Sequence, residues 1–199
     1  MTAELTDVRP SWVADWDELV DRVGEDFSDG SIRWGGDPVE SGTVRRYLEP
    51  LELDSAIHYD EDAARGAGFD GVIAPSTGLL SWAIAAMRSP GEETLYGSAD
   101  RDAQPTRSPI NNEDPYPGPD TSGFLTASME LDFVRPVLLG ERLGNRGRRL
   151  ISCSPKQTSL GRGAFLSWEN DIVSDRGDVV ARVRNVVYAY NPVTEDSES

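Results

Sequence analysis

Histidine, lysine and cysteine each occur once in this chain, as His58, Lys156 and Cys153, and each scarcity closes off a class of chemistry. A single cysteine forms no internal disulfide, and one Cys with one His cannot build a Cys–His metal cluster, so no metal site is expected. With no second imidazole to activate a thiolate, Cys153 reads as a buried or half-buried spectator in a strand. The longest apolar run, Gly78 to Met87, falls well short of the ~18 residues that suggest a membrane span. The N-terminus shows no basic-then-apolar signal pattern. These absences predict a soluble, cytoplasmic protein with no membrane partner. The lysine-bearing phosphate loop GxxxxGK[ST] and the GxSxG nucleophile elbow are both missing, so no cofactor is expected.

Basic residues are outnumbered 19 to 35 by acidic ones, for a net charge of −16. A field of that sign repels nucleic acid, which is excluded as a partner. Apart from Lys156, the basic residues are all arginine, and the acidic surplus reads as a solvated surface that keeps the protein soluble.

What is present suits a globular chain. Hydrophobic residues make up 38% of 199, enough for one domain with a full core. Ser11 to Val23 spaces Trp12, Val13, Trp16, Leu19, Val20 and Val23 as an amphipathic helix, with Ser11 as its N-cap and the aromatic stripe as packing. Residues 28–42 read as loop with a short edge strand near Ile32–Trp34, and Thr43 to Leu53 mixes polar and apolar residues up to a break at Pro50. Asp60 caps a short helix, Glu61 to Arg65, that Gly66 and Gly68 end. Ser76 or Thr77 caps the next helix, Gly78 to Met87, which is apolar on nearly every face and predicts a buried central element. Residues 88–122 are rich in proline, glycine, aspartate and asparagine. Such a long loop is either a lid, binding loop or contact arm, or a floppy insertion. Strand patterns follow, from Met129 to Phe133, from the Gly140-Glu141 turn to Cys153, and from Ala164 to Ser174. A hairpin turn at Asp175–Asp178 then leads into Val179 to Tyr190. In that last strand Val179, Ala181, Val183, Val187 and Ala189 share one face. Val180, Arg182, Arg184, Val186, Tyr188 and Tyr190 share the other. One buried helix followed by long antiparallel strands predicts an α+β fold with a sheet curled around the helix.

Three collinear segments resemble the MaoC-like hydratases and dehydratases. Asp54-Ser55-Ala56-Ile57-His58-Tyr59-Asp60, running on through EDAARGAGFDGVIAPST, is similar to the family's hydratase signature. MELDFVRPVLLGERL, Met129 to Leu143, is similar to its strand and Arg-Pro-Val-x-x-Gly-Asp turn, and Gly163 to Tyr190 to its closing hairpin. The Ala-Pro before the central helix resembles the fatty-acid-synthase-like dehydratase branch. The resemblance implies a hot-dog fold over residues 43–192, with the Pro-rich insertion 88–122, an N-terminal extension 1–42 and a disordered acidic tail 193–199. It implies hydration or dehydration of 2-enoyl and (3R)-3-hydroxyacyl thioesters carried on CoA or acyl carrier protein. It also implies a homo- or hetero-oligomer with another hot-dog subunit.

Residue by residue, His58 falls on the family's catalytic histidine. The family aspartate lies five residues earlier, where this chain has Leu53; Asp54 is one residue closer and Glu52 one further away. Ser55-Ala56 replaces the family's Asn-Pro, and Ala74-Pro75 replaces the His-Gly that leads into the helix in fully active members. Proline has no N–H to donate, so oxyanion donors would come from Ser76 or Thr77 at the helix start. The resemblance therefore implies either an enzyme using His58 and Asp54, or a pocket-forming subunit whose partner carries the catalytic dyad. A hot-dog thioesterase shares the fold but not this His-to-helix run.

Overall fold

The computed structural model describes residues 9–107 and 116–193. Among them the order is α1 (Ser11–Ala14), α2 (Asp17–Asp21), β1 (Ile32–Trp34), α3 (Ser41–Leu48), α4 (Glu61–Gly66), β2 (Ile73–Ala74), α5 (Leu79–Trp82), β3 (Gly123–Phe133), β4 (Val137–Leu138), β5 (Leu143–Thr158), β6 (Gly161–Ser174) and β7 (Val179–Asn191). The main sheet among these residues is antiparallel in the order β1-β5-β6-β7-β3, and β2 pairs separately with β4.

Alternation along β6 and β7 places Leu166, Trp168 and Ile172 beside Ala181, Val183, Val187 and Ala189 on one face. Two buried clusters divide that face. At one end Ile172, Ala181 and Val183 meet Val44 and Leu48 of α3, Leu79 of α5, and Ala74 and Val137 of the small β2–β4 pair. At the other end Leu166, Trp168 and Val187 meet Trp16 and Leu19 from the N-terminal helices. Phe27 and Tyr116 pack on Trp168 at 5.6 and 5.5 Å between ring centres, and the Arg148 guanidinium lies 4.2 Å over the same ring. Each fully buried leucine or valine in these clusters contributes about 1.5–3 kcal/mol. The opposite face carries charges paired across strands, including Arg184 with Glu169 and Arg182 with Asp171.

The face assignment expected for β7 holds for Ala181, Val183, Val187 and Ala189, with two exceptions on the opposite set. Val180 is fully buried where a register shift sets Val173 against Val179. Tyr188 is buried on the charged side, stacked between Phe165 and Tyr190.

The helices depart from expectation more. The single helix expected from Ser11 to Val23 is two short pieces, α1 and α2. Pro10 rather than Ser11 precedes the first, without a side-chain capping bond. Its aromatic stripe does pack, through Trp16. The central helix expected over Gly78–Met87 is only Leu79–Trp82, preceded by a 3-10 turn over Ser76–Gly78. Tertiary partners stop it: Asn145 Nδ2 donates to the Ala83 carbonyl at 3.0 Å, and the Gly36 N–H donates to the Ile84 carbonyl at 2.9 Å. Carbonyls committed to the body of the protein are not available to the next helical turn. Leu79 is buried as expected, Trp82 half-buried, and Ile84 and Met87 exposed.

Asp60 caps α4 as expected, accepting from the Ala63 N–H at 2.7 Å. Gly66, Gly68 and Gly71 happen to have the GxGxxG spacing, but they close α4 instead of opening a helix after a strand, as dinucleotide binding requires. In the 88–122 loop, Arg88 holds the carbonyls of Glu92 and Glu93, and Arg107 pairs with Glu92. Residues 108–115 of that loop and the tail 194–199 lie outside the described residues.

Candidate active site

The segment bearing His58 is shaped by its own backbone. Glu52 adopts a left-handed conformation with φ 52°, costing of order 1–2 kcal/mol, and turns the chain after the 3-10 turn Glu49–Leu51. A second 3-10 turn, Ala56–His58, follows, in which the Ser55 carbonyl accepts from His58 N–H at 3.1 Å. The Ala56 carbonyl accepts from both Tyr59 and Asp60, which joins the turn directly to the cap of α4. The Tyr59 hydroxyl donates to the Leu53 carbonyl at 3.0 Å and ties the segment back on itself.

His58 is half-buried, with Nδ1 2.8 Å from the Ile73 carbonyl. A carbonyl oxygen only accepts, so Nδ1 carries the proton and, in the neutral ring, Nε2 keeps its lone pair. One hydrogen bond thus fixes both ring orientation and tautomer, leaving a base at the other nitrogen.

Ile73 begins β2, which runs through Ala74 and Pro75 into the 3-10 turn Ser76–Gly78. His58 is therefore tied to the strand that leads directly to Ser76 and Thr77. The expected capping by those two residues does not occur. The Pro75 carbonyl accepts from Gly78 N–H at 3.0 Å, so backbone closes the first turn, and both hydroxyl side chains are exposed. The N–H groups of Ser76 and Thr77, first in the turn, have no acceptor within it.

Asp54 is exposed and makes no hydrogen bond or ion pair with His58, Ser76 or Thr77 among the described residues. The structure thus links His58 to the Ser76–Thr77 turn but not to Asp54. Two clefts form elsewhere. One of about 30 Å³ is lined by Ser28, Arg33 and Asn145, and one of about 220 Å³ by Trp12, Trp16 and Arg162; neither includes these four residues. No group of His, Cys, Asp and Glu suited to a metal ion occurs among the described residues.

Two features of the structure escape a reading of the sequence. Ile73 supplies only a backbone carbonyl, which has no sequence signature. Glu141 is fully buried, paired with Arg135 at 3.0 Å and Arg176 at 3.3 Å. Its place in the Arg-Pro-Val-x-x-Gly-Glu run was visible, but its burial was not.

Comparison with known proteins supplies the family. The model for the FAS1-like dehydratase domain region matches residues 23–183. The chain is 28% identical over 171 residues to a probable enoyl-CoA hydratase alpha subunit from Thermomonospora curvata, covering 85% of this chain and 50% of that protein. It is 26% identical over 143 residues to the 3-oxo-4,17-pregnadiene-20-carboxyl-CoA hydratase alpha subunit of Mycobacterium tuberculosis, covering 68% of this chain and 40% of that protein. The chain thus spans half or less of the length of these two relatives. Among solved structures, a chain of the ChsH1-ChsH2 complex from Mycobacterium tuberculosis matches with a TM-score of 0.60 at 21% identity, covering 91% of this chain and 96% of that one. A MaoC-like dehydratase from Rhodospirillum rubrum matches at 0.52 and 20% identity, covering 83% and 95%. The shared architecture is the α+β hot-dog fold that the sequence led one to expect. Because the family model spans most of its length, the chain belongs to the FAS1-like dehydratase domain family.

Proposed function

We propose that this chain is a hydratase/dehydratase subunit acting on 2-enoyl and (3R)-3-hydroxyacyl thioesters of CoA or acyl carrier protein. The observation that carries the reading is the His58 Nδ1–H bond to the Ile73 carbonyl, which leaves Nε2 as a base. In the hydration direction Nε2 takes a proton from water as the water oxygen bonds C3 of the enoyl group. The imidazolium then passes that proton to C2, with the Asp54 carboxylate sharing the proton work. The thioester oxygen carries the developing negative charge and is offered the N–H groups of Ser76 and Thr77. The family to which the chain belongs and the names of its two relatives support this reaction class.

A second reading, a pocket-forming subunit whose partner carries the dyad, is favoured by two specific observations. Asp54 stands exposed and unbonded among the described residues, and Pro75 removes one backbone donor from the turn. Both readings place the chain in an oligomer with another hot-dog subunit, in the cytoplasm. β3 pairs only with β7 among the described residues, and its Phe124, Met129 and Phe133 are 66%, 45% and 50% exposed. An unpaired edge of that kind calls for a partner.

The test is hydration of a panel of enoyl-CoAs by the chain alone and with a second hot-dog chain. His58→Ala should lower the rate by at least about 10²-fold with the fold intact. Full activity of His58→Ala in an active assembly would place the dyad in the partner.

A further inference from the structure

The hydrogen bond that sets the His58 tautomer is only as firm as the carbonyl that accepts it, and that carbonyl belongs to a two-residue strand. Among the described residues β2 has one ladder partner, β4, through Ile73 with Leu138 and Ala74 with Val137; the Leu139 N–H adds a bond to the Val72 carbonyl at 3.1 Å. So short a pair does not hold its own position. The segment from Arg135 to Glu141 holds it. Arg135 Nη1 donates to the Pro136 carbonyl at 2.7 Å, immediately before β4, and to both oxygens of Glu141 at 3.2 and 3.0 Å, just after it. Arg135 Nε donates to Asp178 at 2.6 Å, and Arg176 Nε lies 3.3 Å from Glu141. Arg176 and Asp178 sit at the β6–β7 turn. At Gly140, with φ 87°, the chain makes the bend that brings the Glu141 side chain back to Arg135.

We propose that Glu141, with Arg135, is a positioning residue for His58: the buried carboxylate locks β4 to the β6–β7 turn, β4 locks β2, and the Ile73 carbonyl of β2 fixes the imidazole tautomer. The inference rests on the reading of His58 as the base. Two observations favour positioning over simple stabilisation. A buried ion pair gains little over apolar packing of the same volume. In addition, the cluster leaves Arg135 Nη2 buried without a partner among the described residues, a cost that a purely stabilising core does not carry.

Because His58 is the sole histidine, its two ring nitrogens can be read without assignment by ¹H–¹⁵N NMR of the whole chain. The wild type should show a protonated Nδ1 and a bare Nε2, with well-separated nitrogen shifts. In Glu141→Gln, which keeps the shape and removes the charge, the two shifts should move toward each other as the tautomers mix, and kcat should fall more than KM rises. Leu166→Ala, in the far cluster, destabilises the fold without touching this relay and should leave the tautomer unchanged. If Glu141→Gln does not fold, Arg176→Gln provides the reading, since its side chain is 57% exposed, and a smaller shift in the same direction is expected. An unchanged His58 tautomer in the folded variant overturns the relay whatever the activity. A shifted tautomer in a chain with no hydratase activity upholds the relay and overturns the functional reading instead.

Discussion

The β5–β6–β7 system and the segment carrying His58 are built on different principles. The three strands run 16, 14 and 13 residues and bond to one another along nearly their whole length, with apolar clusters on one face and ion pairs on the other. The site segment consists of 3-10 turns, a two-residue strand pair and helices of six and four residues. In the sheet each backbone group is held by a neighbour in a repeating ladder, so loss of one side chain is shared. In the site single bonds carry single tasks, as Nδ1 to Ile73 does. Stability and chemistry should therefore separate by region, and substitutions can break or sharpen that contrast.

The largest effect on stability belongs in the sheet. Leu166→Ala removes a side chain that is 1% exposed in the second cluster and should cost about 2–5 kcal/mol. For a chain of this size that lowers Tm by roughly 2–4 °C per kcal/mol. Urea unfolding checks it, and a loss below about 1 kcal/mol would show that the far cluster is not a true core. Tyr188→Phe comes next. Its buried hydroxyl lies 2.8 and 2.7 Å from the carbonyls of Lys156 and Gly161, which share its one proton. Deleting it removes the donor of the buried bond to the Gly161 carbonyl, at about 1–3 kcal/mol, with the ring stack kept. Loss of protection of nearby amides in hydrogen exchange should accompany the lower stability.

The sheet was legible in the sequence because its signal is local and repeated. Val179 to Tyr190 alternates so regularly that strand, turn and inner face could all be read, and only the bulge that buries Val180 and the ring stack that buries Tyr188 escaped. The helices were less legible for a reason visible at Ala83 and Ile84. Apolar character from Gly78 to Met87 says that the segment is buried, but the bonds that end the helix come from Gly36 and Asn145, far away in sequence. The α3 helix escaped similarly, since Ser41–Leu48 has few apolar residues and gains its place by burying Val44 and Leu48. At the site, the His58 motif was legible as a pattern of residue types. Its acceptor, a main-chain carbonyl of Ile73, and the burial of Glu141 depend on tertiary placement.

Asp60→Ala tests the site side of the contrast. The cap bond to Ala63 N–H contributes about 1 kcal/mol. Since the Ala56 carbonyl links the His58 turn to Asp60, the loss should appear as local opening of residues 56–66 in hydrogen exchange, with little change in Tm. A global loss as large as that of Leu166→Ala would erase the distinction between the two regions.

Cys153 should give the smallest effect, one confined to alkaline pH. It lies in β5, half-buried beside the second cluster, and burial pushes its thiol from the ordinary 9.0 up to about 11. Burial penalises the thiolate in the folded chain only, so the unfolded chain releases its proton first. Between 9.0 and about 11 the folded state therefore binds more protons than the unfolded state, and stability falls as pH rises through that window. Below pH 9 the contribution is complete and flat. Cys153→Ala should remove this part of the alkaline slope while leaving stability at pH 7 nearly unchanged, because the sulfur is only partly enclosed. Alkylation gives the same result kinetically, since the thiolate is the reactive form: at pH 8 the folded chain should react at least about 10-fold more slowly than the chain in urea. Equal rates would mean that Cys153 is open to solvent and that the sheet at β5 is looser than its ladder implies.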